Sequence, residues 1–342
     1  MKKIIYYITD HGKGHATRSV AIIRELKKLN FNIIIRNSNS VELLHQCLPG
    51  MSVIDEKTDV GPVIKNDGIS IDTESSILKL HHWIQDLDNS SERELIHIKK
   101  FEPDLIISDI SVMPIKAAKK ANVSSIAISN FSWYDVLKFL EKTDMEILKQ
   151  EYNSTQLALQ LPLGTNMNHF KQKIKTGFAS RYSINSREIV RKKLGLTNSD
   201  ILVVFALGGS NLEIETDFDK EIKIISLNSK IKNVENLVIY YPLMESQDLI
   251  AASDLVICKC GYGTVTECLT NGIPFYYIAS DEHLEQKSIA SALRYYSSSM
   301  QITLEEINHL SLNKKQIQNL PKNQESIDNS NIANIIKEFL IN

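Results

Sequence analysis

Residues 254–278 read DLVICKCGYGTVTECLTNGIPFYYI, and the order of residue types in this stretch decides the fold class. Leu255 to Cys258 form an apolar, β-type run, Gly261-Tyr262-Gly263-Thr264 opens a helical segment, Gly272 and Pro274 end it, and Phe275 to Ile278 start the next buried-type run. The pattern is strand, glycine-rich turn, helix, strand. Such a unit leaves backbone N–H groups and the positive end of a helix at the carboxyl end of a strand, where an anion is stabilised without a metal.

The same alternation extends in both directions. Lys3 to Thr9 reads as a strand and is followed by HGKGH (11–15), a helical stretch ATRSVAIIRELKKLN (16–30) and the strand-like FNIIIR (31–36). Ile22, Leu26 and Leu29 fall at i, i+4 and i+7 and give that helix one apolar face. PDLIISD (103–109) leads into SVMPIKAAKKAN (111–122), and SSIAISN (124–130) into the helix expected over FSWYDVLKFLEK (131–142). A short helix REIVRKKLGL (187–196), with Gly195 as its stop, precedes a second series that opens with ILVVFAL (201–207) and the turn Gly208-Gly209-Ser210 and runs through NLVIYYPL (236–243). The expected architecture is α/β, with two Rossmann-like doubly wound domains facing a central cleft. The expected boundaries are 1–181, 182–324 and a terminal helix over 325–342 that packs back on the first domain. Residues 301–330 are polar, and Pro321 is expected to break a helix there.

The length of 342 residues suits two cores, and 43% hydrophobic with 23% charged residues is ordinary for a globular protein. Thirty-nine Lys and Arg against 41 Asp and Glu give a formal charge of −2, so nucleic acid is not an expected partner. The opening MKKIIYYITD stops being apolar at Asp10 and His11, unlike a signal sequence, and no run approaches the ~18 apolar residues of a membrane span. The protein is therefore expected to be cytoplasmic. Lys99, Lys100, Lys116, Lys119 and Lys120 are either a solvated helix face or, less economically, a contact with an anionic lipid surface. Cys47, Cys258, Cys260 and Cys268 do not make a disulfide framework, and the spacing of the last three is not a zinc-knuckle spacing; buried thiols and no metal are expected.

Ligands of open α/β sheets bind beyond the carboxyl ends of the strands. That rule selects Asp10 to His15, Ser108 and Asp109, Asn130 to Tyr134, Gly208 to Ser210, Cys260 to Glu267 and Ala279 to Gln286. Thr17 stands at the third-glycine position of a dinucleotide fingerprint, and no GKS or GKT follows, which excludes the NAD and Walker readings of HGKGH. His15 is either a catalytic group or a packing residue. Asp109, at the end of an apolar strand, either orients His15 as a base or caps the helix that follows. Glu267 is expected in the first turn of its helix, as a ribose ligand or a dipole-stabilising acid.

KCGYGTVTECLTNGIPF (259–275), with DEHLEQ (281–286) beyond the next strand, resembles the donor-binding half of GT-B nucleotide-sugar glycosyltransferases, and GHATRS (14–19) resembles their acceptor-side loop. DVGPVIKNDGISID (59–72), DLIISD (104–109), ISNFSW (128–133) and AASDLVICKCGYGT (251–264) are similar to segments of the glycosyltransferase-like region of L-arabinokinases and related prokaryotic proteins. No kinase glycine/serine-rich loop accompanies them, so sugar kinase activity is not expected. NLEIETDFDKEIKIISLNSK (211–230) is too strand-like for the helix that usually follows the first donor-side turn.

The resemblance implies a nucleotide-sugar donor, with a uridine base expected, at Gly14, Gly208, Gly209, Ser210, Gly261, Tyr262, Gly263, Thr264, Glu267, Glu285 and Gln286. It implies His15 as base and Asp109 as its partner, in a metal-independent inverting displacement by an acceptor hydroxyl. His11, Asn130, Trp133 and Tyr134 are the expected acceptor contacts, with Phe131 either stacking there or packing in the core. The acceptor itself, whether glycan, lipid-linked or small, is not encoded in motifs. Two further hypotheses are a non-catalytic nucleotide-sugar sensor or accessory module, and a UDP-N-acetylhexosamine epimerase, for which no motif of extra carboxylates is found.

Overall fold

The run KIIYYI forms strand β1 (Lys3–Ile8), buried from its second residue onward, as a strand covered by helices on both faces must be. In the computed structural model, residues 1–65, 70–208, 213–215, 218–227, 230–232, 237–238 and 245–341 are described. After β1 come α1 (Lys13–Lys28), β2 (Asn32–Arg36), α2 (Val41–Cys47), β3 (Ser52–Ile54), β4 (Val63–Ile64), β5 (Ile71–Asp72), α3 (Thr73–Gln85) and α4 (Leu87–Phe101). They are followed by β6 (Leu105–Asp109), α5 (Met113–Ala121), β7 (Ser124–Ser129), α6 (Trp133–Val136), α7 (Lys142–Tyr152), β8 (Leu157–Gln160) and β9 (Lys173–Lys175).

The chain divides into two units: Met1–Val63 with Ile71–Ala179 and Ile327–Asn342, and Ile64–Ser70 with Ser180–Ser326. The first is built on a seven-stranded sheet in the order β3-β2-β1-β6-β7-β8-β9, parallel throughout. From β1 the chain winds outward through β2 and β3, then returns to β6 and winds the other way. The topological switch point therefore lies between β1 and β6, with Ile8 in register with Asp109.

The second unit contains α8 (Arg187–Lys193), β10 (Ile201–Ala206), β11 (Glu213–Glu215), β12 (Ile222–Ser226), β13 (Lys230–Lys232), α9 (Ser246–Ala252) and β14 (Leu255–Lys259). It continues with α10 (Tyr262–Asn271), β15 (Phe275–Ile278), α11 (Leu284–Leu293), β16 (Ser299–Gln301), α12 (Leu304–Asn308) and α13 (Lys314–Gln318). Its parallel sheet has the order β12-β10-β14-β15-β16, which puts the switch point between β10 and β14. Val203, Phe205, Ile224, Leu255 and Ile257 fill the core beneath it. The last helix, α14 (Asn329–Ile341), belongs to the first unit. It lies against α1, burying Ile332, Ala333 and Ile336, while Ser330 Oγ donates to Glu25 Oε2 at 3.2 Å.

Three local expectations are corrected. Helix α1 starts at Lys13 and not after His15, with Gly12 in the left-handed region (φ 80°) as its cap, so Gly14 and His15 are already helical. The stretch 131–142 is not one helix. Ser132 and Asp135 form a capping box around the four-residue α6, and α7 starts again at Lys142. Phe131 and Trp133 are buried, and the face of Tyr134 is covered by the Lys138 ammonium 3.9 Å from the ring centre, so the three do not form an open platform in this structure. As the strand-like composition of 211–230 suggested, the described residues between β10 and α9 form strands and no helix.

Replacing Ile336 by Ala should cost about 2–5 kcal/mol, the usual penalty for emptying a fully buried aliphatic site. Urea unfolding of the first unit checks this, and an unchanged midpoint would show that α14 does not hold α1 in place.

Candidate functional site

In the first unit the switch point brings β1, β6 and β7 to one edge. Because α1 starts at Lys13, His15 and Arg18 lie three residues apart on one helical face. That face turns to Asp109, the last residue of β6. His15 Nδ1 lies 2.9 Å from Asp109 Oδ1, with the imidazole 5% and the aspartate 1% exposed. Asp109 does not cap α5, whose cap is Val112, so the capping alternative is set aside. His15 Nε2 makes no hydrogen bond to the described residues, and Phe131 meets the ring edge-on at 5.6 Å.

Sequence reasoning missed Arg18. Its guanidinium is 1% exposed and grips the carboxylate with both arms: Nε donates to Asp109 Oδ2 at 2.8 Å, and Nη2 donates to Oδ1. Nη1 donates to Asn130 Oδ1 at 2.5 Å, Nη2 to Ser129 Oγ at 3.0 Å, and Ser19 Oγ donates to Asp109 Oδ2 at 3.0 Å. Burial pushes the Asp109 carboxyl up, but the charges of Arg18 and His15 and their hydrogen bonds outweigh it and hold it at about 2. The signal available in the sequence was the i, i+3 spacing of His15 and Arg18, which acquires meaning only when the helix start is known.

A second acid stands next to this group. Asp59 is buried and accepts from Thr9 Oγ1 at 2.7 Å, the Asp10 backbone N–H at 2.9 Å and Trp133 Nε1 at 3.0 Å. Burial outweighs these bonds and pushes its carboxyl up to about 6. His11 is half-buried, edge-on to Trp133 at 5.3 Å, and a Cβ at Gly61 would come 2.0 Å from its Nδ1, so only glycine allows that approach. Asn130 is buried with Oδ1 on Arg18 and with Nδ2 lacking a partner among the described residues. Of the lysines considered for a lipid surface, Lys116 and Lys120 are committed instead to Asp88, Glu151 and Glu92.

In the second unit, Gly261 caps α10 with no side-chain hydrogen bond and no acid stands in the first turn, so the positive end of the helix dipole meets no acidic side chain of its own helix there. Glu267 is the sixth residue of α10, not in its first turn. Its buried carboxylate receives Arg181 Nε at 2.7 Å, yet burial still pushes its pKa up. Gly208 (φ 67°) follows β10, and a Cβ there would meet Lys259 Nζ at 3.9 Å, so the lysine stem runs beside that turn. Lys259 was not singled out from sequence, because a lysine ending a strand usually reaches solvent. Gly209 and Ser210 lie outside the described residues. Gln286 accepts from the Ser280 N–H at 3.0 Å through Oε1, and Glu285 is half-buried on the same helix. Cys47, Cys258, Cys260 and Cys268 are buried free thiols.

Two parallel sheets, each with a glycine turn at its switch point, make up the α/β architecture of the GT-B fold. The chain belongs to glycosyl transferase family 1, whose model matches residues 2–321. It is similar to L-arabinokinase of Arabidopsis thaliana, with 24% identity over 313 residues, 87% of this chain and 30% of that protein. It thus spans less than a third of that relative's length. Among solved structures it is similar to the Streptomyces sp. SF2575 glycosyltransferase SsfS6 complexed with thymidine diphosphate (TM-score 0.59, 11% identity, 99% of this chain and 100% of that one). It is also similar to Arabidopsis thaliana UGT89C1 complexed with UDP (TM-score 0.59, 12% identity, 99% of this chain and 90% of that one). Among the described residues no helix is long and apolar enough to cross a membrane.

The two buried acids give opposite pH signatures. Asp109, depressed in the fold, adds stability that is present above pH ~4 and lost as pH falls toward 2; Asp59, raised in the fold, adds stability as pH falls from about 6 toward ~4. Urea midpoints across this range should lose the first slope in Asp109→Asn and the second in Asp59→Asn. Slopes identical to those of the parent protein would contradict the assignment.

Proposed function

We propose that this protein transfers a sugar from a nucleotide-diphosphate sugar, with uridine as the base, to an acceptor hydroxyl by direct inverting displacement without a metal. The observation that carries the reading is His15, braced through Nδ1 on a carboxylate and with Nε2 unengaged. The acceptor O–H gives its proton to Nε2 as its oxygen bonds to the anomeric carbon. The bond from that carbon to the diphosphate oxygen breaks, and the diphosphate leaves with the electron pair. Asp109 stabilises the imidazolium that forms.

The leaving charge needs donors already in place. The backbone N–H groups at the start of α10, from Tyr262 to Thr264, and the Lys259 ammonium beside the Gly208 turn would supply them in the second unit. Gly208, Gly209 and Ser210 would border the nucleotide, Glu267 would meet the ribose beside Arg181, Glu285 and Gln286 would meet the sugar, and Gly14 would approach the donor. His11 and Tyr134 would meet the acceptor, with Asn130 and Trp133 shaping that wall from behind. The complexes of SsfS6 with thymidine diphosphate and of UGT89C1 with UDP support a pyrimidine nucleotide donor. A nucleotide-sugar accessory module is the second reading, favoured by the short share of the L-arabinokinase relative that this chain spans.

A panel of nucleotide sugars screened by thermal shift should single out uridine donors, since a ligand bound only by the folded state raises stability. With that donor, His15→Ala should lower transfer by about 10²–10⁴-fold while the donor-induced shift stays intact. Donor binding without transfer by the parent protein would favour the accessory reading. Undiminished transfer by the variant would remove His15 as the base.

A further inference from the structure

Arg18 Nη2 has two hydrogens, and its neighbours include three groups that can accept one: Asp109 Oδ1, Ser129 Oγ at 3.0 Å and His15 Nδ1 at 2.6 Å. His15 Nδ1 in turn stands between that guanidinium nitrogen and Asp109 Oδ1 at 2.9 Å. A neutral imidazole has one hydrogen for two nitrogens, so where the Nη2 hydrogens go decides whether His15 is a base at Nε2 or a donor there.

We propose that Arg18 and Ser129 set the tautomer of His15: Asp109 Oδ1 and Ser129 Oγ take both Nη2 hydrogens, so Nδ1 carries its own and Nε2 is left bare. The inference rests on His15 acting as the base. The carboxylate takes the first hydrogen, because a bond between two opposite charges is the strongest one available. The second hydrogen chooses between two neutral acceptors, Ser129 Oγ and His15 Nδ1. If it turned to Nδ1, the imidazole hydrogen would move to Nε2, and the bare Nδ1 would face the anionic Oδ1 with nothing between them.

Ser129 is well placed to win that contest. It is the last residue of β7, it is buried, and its hydroxyl oxygen also accepts from the Phe131 N–H at 3.2 Å, which fixes its lone pairs. Arg18 is held against it by the Asn130 contact on its other arm. Both are positioning residues, since neither has to touch a substrate for the tautomer to be set.

The tautomer is readable without substrate, so failure here is separate from failure of the transferase reading. In protein labelled with ¹⁵N-histidine, long-range ¹H–¹⁵N spectra distinguish a protonated ring nitrogen from a bare one, and His15→Gln identifies the His15 signals among the nine histidines. The parent protein should show Nδ1 protonated. Ser129→Ala should raise the Nε2–H share about five- to tenfold, the effect of one neutral hydrogen bond, and Ser129→Thr, which keeps the hydroxyl, should restore it. Arg18→Lys, which keeps the charge but loses the fork, should also disturb the ratio, and thermal melts report whether each variant is folded. Nε2–H in the parent protein, or a ratio unmoved in folded Ser129→Ala, would overturn the proposal even if transfer declined.

Discussion

A buried charge must be paired, and the pairing of Arg18 with Asp109 is the constraint on which the first unit's site depends. The two side chains come from α1 and β6, and of their further partners Ser129 ends β7 and Asn130 follows it, so one network ties three elements at the switch point. Removing any member would leave a desolvated donor or acceptor without a partner, which costs far more than an exposed ion pair contributes. The geometry of His15 is a by-product of that necessity. Once Arg18 holds the carboxylate, Asp109 Oδ1 has a fixed place, and the imidazole has one orientation that meets it.

Much of this architecture is legible from residue order. Period-two and continuous apolar runs mark KIIYYI, PDLIISD, ILVVFAL and DLVICKC as strands, and glycines followed by helical periodicity mark the turns that carry the chemistry. His15 and Asp109 are found by rule, because both follow parallel strands. Arg18 is not, for a specific reason: a helix begun after His15 leaves the relation between the two residues undefined, whereas a helix begun at Lys13 puts them on one face. A shift of three residues in one boundary separates a dyad from a clamped network.

Other misreadings have similarly local causes. Trp133 and Phe131 follow a strand end and look available, but α6, opened by the Ser132 capping box, ends after four residues and both rings are buried, where Asp59 receives the indole N–H. Glu267 looks like a first-turn acid when the helix is started late. With Gly261 as the cap it lies a full turn deeper, where its carboxylate requires Arg181 as a counter-charge. That arginine lies 86 residues away in the chain, and no local pattern announces the partnership.

The two units use one topological device with opposite electrostatics. In each, winding reverses between adjacent parallel strands and opens backbone at their carboxyl ends. The first unit fills that place with an anion, a permanent cation and an imidazole whose Nε2 makes no hydrogen bond to the described residues. The second has a helix start without an acid in its first turn and a lysine stem beside the glycine turn. The reaction proposed above, which takes a proton from a neutral hydroxyl and expels a diphosphate, draws on both: an imidazole as the base, and backbone donors at a helix start for the leaving charge. The fold supplies the positions twice, and the difference in chemistry comes from which side chains follow the glycines.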